Sequence, residues 1–170
     1  EKMDPVGKED GDIDNDGDYD ALYAYGGRSF SIFQEDGTLV YDSGDDFEQI
    51  VASLFPNYFN SSNDSNDSFE SRSDAKGPEP EALTLGLVDG HLLAFIGLER
   101  IGGIMVYDIT NPTDGHFESY VNLALDEHAA GGSHSRPGTK DVSPEGVKFV
   151  SASDSPTSKP LVLVSNELSG

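Results

Sequence analysis

The chain has 170 residues and carries 10 Lys and Arg against 32 Asp and Glu, a formal charge of −22. That balance argues against nucleic acid, which needs a basic face, and points to metal cations as partners. No apolar run long enough to span a bilayer occurs, so no membrane insertion is expected. The absence of Cys removes disulfides, thiolate metal ligands and cysteine nucleophiles together.

Residues 1–19 read as a flexible acidic segment. Their polar opening, Glu1-Lys2-Met3-Asp4, shows no signal peptide and fits a mature or trimmed N-terminus. At the end of this segment, Asp12, Asp14, Asp16 and Asp20 stand at positions 1, 3, 5 and 9 of a loop with Gly17 at position 6. Calcium is a hard cation that takes several carboxylates plus a backbone carbonyl, here that of Asp18, and the glycine permits the sharp turn. An EF-hand would need Glu at position 12, where Tyr23 stands, and flanking helices, where a strand is expected. A merely solvated acidic tail is the plain alternative. The loop resembles the DxDxDGxxD calcium hairpins of integrin-type FG-GAP propeller blades, which run straight into a strand.

Short strands follow. Ala21–Tyr25 is the first, Ser29–Phe33 alternates with period two, and Glu35-Asp36-Gly37 turns the chain into Thr38–Tyr41. Phe47, Ile50, Val51, Leu54 and Phe55 recur at helical spacing and predict one short helix. Asp45 is its candidate N-cap, with Glu48 at the capping-box distance, and Pro56 ends it. Residues 60–80 are a long polar loop rich in Asn, Ser and Asp. Strands are then expected over 83–88, 92–98, 104–109, 117–121, 147–151 and 161–164, with a loop over 126–142. His91, His116, His128 and His134 read as surface histidines in turns and loops.

An internal repeat links two of these stretches. Pro80-Glu81 matches Pro144-Glu145, and the strand ending at Glu99 matches the one ending at Glu167, at offsets of 64 and 68 residues. Repeating antiparallel meanders are the signature of propeller blades. The expected class is therefore all-β: the chain is one incomplete β-propeller domain over 1–170, about two to three blades of a fold that usually closes with four or more. Its open edges would pair with the remaining blades of a longer parent or with another copy. A single antiparallel sandwich is the alternative. Glu81 and Glu145 open strands whose antiparallel partners end at Glu99 and Glu167, so all four acids belong to one sheet edge. They are a candidate second metal site at the channel mouth. Simple pairing with Lys76 and Arg100 is the competing reading. No nucleophile elbow is present, and no catalytic residue is assigned.

Long stretches also resemble the choice-of-anchor I proteins. Among them are Asp18-Tyr-Asp-Ala-Leu-Tyr, Ser43-Gly-Asp-Asp-Phe-Glu48, Lys76-Gly-Pro-Glu-Pro-Glu81, Gly97-Leu-Glu-Arg100, Gly102-Gly-Ile-Met-Val-Tyr-Asp-Ile-Thr-Asn-Pro112 and Asn166-Glu-Leu-Ser-Gly170. That family comprises secreted bacterial β-propeller proteins, similar to mesenchyme-specific cell surface glycoproteins and often labelled alkaline phosphatase. Together with the acidic loop, the resemblance leads to an expected extracellular or cell-surface calcium-binding module with a structural or binding role. The alternative expectation is a metal-dependent phosphoesterase in which Glu81, Glu99, Glu145 and Glu167 bind metal and Arg100 contacts phosphate. The Cys ligand of phosphatases of the PhoX type has no counterpart in this chain.

Overall fold

A computed structural model describes residues 26–63, 68–122, 125 and 143–167. The acidic loop over 12–20, the strand expected over 21–25, and His128 and His134 lie outside the described residues.

The described chain is antiparallel β-structure with one short α-helix, arranged as three open sheets. Strands β1 (Ser31–Phe33) and β2 (Leu39–Asp42) form a hairpin. Its turn closes through Gln34 N–H to Thr38 O at 2.9 Å, and Gly37 takes the φ of +85° that the turn requires. Helix α1 (Asp46–Leu54) follows. It buries Phe47 and Val51 completely, with Phe55 just beyond its end, while Leu54 is exposed. The expected capping box does not form. Asp45 makes no side-chain cap, and Glu48 turns instead to Arg28 Nη1 at 2.8 Å and Asn60 Nδ2 at 2.6 Å. A guanidinium and a buried amide offer charge-assisted bonds that outweigh one backbone N–H.

Strands β3 (Pro80–Val88), β4 (His91–Leu98), β5 (Ile104–Asp108) and β6 (His116–Val121) make a four-stranded meander in chain order. The register Ala94↔Tyr107 and Ile96↔Met105 puts these residues on one face. That face meets α1 and the β1–β2 hairpin in the main core, with Leu98 and Ile101. Phe30 and Phe47 pack edge-on to Tyr107, with ring centroids 5.1 and 5.7 Å apart. Such pairs add about 1 kcal/mol each beyond area burial.

The opposite face carries Thr84, Gly86 and Phe95, and the hairpin of β7 (Pro144–Val150) and β8 (Leu161–Asn166) lies against it. Phe149 stacks on Phe95 at 5.9 Å, and its N–H donates to Thr84 Oγ1 at 3.2 Å. Gly86 is required here, because a Cβ at that position would sit 2.3 Å from the Phe149 ring.

Candidate carboxylate site

The internal repeat is carried into the backbone. Glu79 and Ser143 both adopt positive φ, at 52° and 66°, immediately before Pro80 and Pro144. Each strand then bulges, between Pro80 and Ala82 in β3 and between Pro144 and Gly146 in β7. Glu81 and Glu145 are thus the bulged residues, and a bulge re-aims a side chain at a sheet edge. The closing bond also recurs: Glu99 N–H to Glu79 O and Glu167 N–H to Ser143 O, both 2.9 Å.

The two corners differ in what they hold. In the first, carboxylate oxygens of Glu79, Glu81 and Glu99 lie within 4.8 Å of one another. Glu145 and Glu167 are exposed and do not join them. Glu79, which the sequence reading passed over, is the centre. Its carboxylate is fully buried between Arg72 Nη2 on Oε1 at 2.5 Å and Arg100 Nε on Oε2 at 2.7 Å. Lys76 Nζ stands 3.8 Å from Glu79 and 3.3 Å from Glu81. Arg100 Nη1 also reaches Glu99 at 3.0 Å. Salt bridging at Lys76 and Arg100 is therefore present.

Protonation follows from this packing. Burial, followed by the hydrogen bond with Glu79, pushes the Glu99 carboxyl up to about 8. Burial works against the Glu79 charge too, yet bonds from Glu99, Arg72 and Arg100 hold its carboxyl below the ordinary value. These opposite directions place the proton of the pair on Glu99, facing the Glu79 carboxylate. Both oxygens of Glu79 are engaged by arginines, so the charge that a metal ion would bring is already supplied by the protein's own cations. Chemically, the corner is a proton-sharing, ion-paired staple.

The second corner replaces Glu79 by Ser143 and touches the first. Ser143 Oγ donates to Glu99 O at 3.3 Å and accepts from Asn63 Nδ2, while Asn63 Oδ1 takes Arg100 Nη1 at 3.3 Å. One network therefore ties the polar loop, the four-stranded sheet and the β7–β8 hairpin. The signal for Glu79 was its place in Pro78-Glu79-Pro80-Glu81, where the flanking prolines restrict the backbone.

A family model described as the choice-of-anchor I domain matches residues 5–112. The chain belongs to the choice-of-anchor I family. The match includes the acidic loop, helix α1 and the whole Glu79–Glu99 corner, and it ends before β6. Gigasin-3a of Magallana gigas is 36% identical over 162 residues, 91% of this chain and 57% of that protein. The mesenchyme-specific cell surface glycoprotein of Strongylocentrotus purpuratus is 29% identical over 136 residues, 66% of this chain and 18% of that protein. This choice-of-anchor I chain thus spans little more than half of one relative and under a fifth of the other. No solved structure matches it.

Proposed function

We propose that this chain is part of an extracellular, calcium-stabilised β-propeller module at a cell surface or in secreted material, with a structural or binding role. The observation that carries the reading is the first of the two corners, whose backbone is repeated in the second and whose buried carboxylates are closed by Arg72, Lys76 and Arg100 instead of standing open to a ligand. Such a corner fastens neighbouring sheets. The four-stranded meander β3–β6 has the make-up of one blade, and the β7–β8 hairpin, repeating its first corner, starts the next. The likeness to a cell surface glycoprotein supports a place outside the cell.

Calcium enters through Asp12, Asp14, Asp16 and Asp20, with the carbonyl of Asp18, in a chain whose charge of −22 favours any device that neutralises acids. Phosphoester hydrolysis would need a metal with an open position, and the ion-paired corner gives that alternative no support.

The test is calcium titration by calorimetry with thermal melting, on the native chain and on an Asp14→Ala, Asp16→Ala double variant. The native chain should bind with a Kd of about 0.1–1 mM, the range of extracellular modules. At 100-fold excess over Kd it should gain about 2.7 kcal/mol. The variant should lose one site. Equal binding by both chains, or by neither, would remove calcium from the reading.

A further inference from the structure

The far end of the four-stranded sheet holds a different constellation. Strand β4 begins at His91, β5 ends at Asp108 and β6 begins at His116, so the antiparallel meander brings all three to the end opposite the Glu79 corner. Asp108 pairs directly with His116 in the β5–β6 register. Glu118 falls in the irregular stretch of that register, where Tyr107 pairs with Phe117 and Val106 with Ser119. The ligand atoms of Asp108, His116 and Glu118 lie within 4.8 Å of one another.

Two features distinguish this group from a chance patch of surface charge. The first is orientation of the carboxylate. Asp108 is buried, its Oδ1 accepts Thr110 N–H at 2.8 Å, and its Oδ2 faces His91 Nδ1 at 2.6 Å. Metal-binding carboxylates are held by such outer contacts. The second is the convergence of unlike donors on one point. His116 Nδ1 faces the backbone carbonyl of Asp114 at 3.4 Å, and its Nε2 lies 3.2 Å from a Glu118 carboxylate oxygen, beside the buried carboxylate of Asp108.

We propose that Asp108, His116 and Glu118 form a binding site for a divalent transition-metal ion of the zinc class, with His91 as the residue that positions Asp108. One imidazole nitrogen and two carboxylate oxygens suit zinc, whose sites with three protein ligands keep a fourth position for water. Calcium and magnesium prefer oxygen donors, so the imidazole sets this site apart from the acidic loop. Nothing in this assignment depends on the proposed role of that loop.

The experiment is a ZnCl2 titration by calorimetry in excess CaCl2, so that sites made of oxygen alone are already filled. Cobalt(II) absorption serves as the second readout. The native chain should take up zinc that calcium does not displace, and Co2+ should give the visible bands of a low-coordinate site. His116→Ala should abolish both. Glu118→Gln is exposed and should fold normally, and it should weaken binding by about 100-fold. His91→Ala should weaken it by about 10-fold while leaving the cobalt bands in place, as expected for loss of an outer contact. A His128→Ala, His134→Ala variant should behave as the native chain. The proposal is overturned if calcium displaces the zinc, or if His116→Ala and Glu118→Gln bind it as tightly as the native chain does.

Discussion

Glu79 is a fully buried carboxylate held by two half-buried arginines, and its removal leaves their charges facing a desolvated pocket. Losing one partner of a buried pair costs about 3–5 kcal/mol. Because Arg72 and Arg100 keep some water contact, Glu79→Ala should fall near the lower end of that range in urea unfolding, and Glu145→Ala, exposed, within about 0.5 kcal/mol of native. Glu99 supplies a pH signature. Its folded carboxyl sits at about 8 against an ordinary 4.5, with Arg100, Glu79 and Glu81 facing it. Between those values the folded chain holds a proton that the unfolded chain has released. Raising the pH therefore favours unfolding, by at most about 1.4 kcal/mol per pH unit for this group. In EDTA, stability should decline from about pH 5 to pH 8 and level off above. Glu99→Gln keeps the hydrogen-bond donor without the charge, so its profile should lack this decline; an unchanged profile would show that Glu99 is ionised when folded. Part of this site was legible from spacing alone: Glu81 and Glu99 meet because a strand start and its antiparallel neighbour's end share an edge. Glu79 was not, since its role depends on a left-handed backbone at φ 52° and on Arg72 from the polar loop, contacts that no periodicity encodes.

At the scale of elements, the contact between the two repeats rests on a missing side chain. Gly86 lets the Phe149 ring lie on β3 and stack on Phe95. Gly86→Ala should push that ring away and cost about 1–3 kcal/mol, the usual penalty of overpacking. Phe149→Ala should cost about 3–5 kcal/mol if the ring anchors the hairpin. The two changes share one contact, so the double variant should lie below their sum by at least 0.5 kcal/mol in the range typical of coupled residues. Strict additivity would mean that β7–β8 does not pack on β3 in solution. Most strands were readable because turn residues and period-two alternation bracket them, as Asp89-Gly90 does between β3 and β4. Their ends were less so. Strand β3 starts at Pro80 instead of Leu83, because a proline is tolerated as the first residue of a strand and lacks only a donor. Helix α1 was legible from its apolar face, whereas its cap was not, since the tertiary partners Arg28 and Asn60 take Glu48.

At the scale of the molecule, two forces oppose each other. A charge of −22 makes the chain repel itself and its copies. Meanwhile Leu83, Leu85 and Leu87 are exposed along β3, the strand at one end of the four-stranded sheet. They lie on the face that elsewhere meets α1, so among the described residues the apolar surface runs on past its cover. An edge strand with such a stripe is a surface that another chain can pair with. Salt separates the two effects. Going from about 0.01 M to 0.15 M ionic strength shortens the screening length from about 30 Å to about 8 Å, which relieves repulsion within the fold and between copies alike. Added NaCl should therefore raise the melting temperature and, in the same range, increase the weight-average mass in sedimentation equilibrium. A Leu85→Thr, Leu87→Thr variant should keep the rise in melting temperature and lose the rise in mass, because only the second depends on the stripe. If the variant associates as the native chain does, the leucine face is covered in solution and the association runs through another surface.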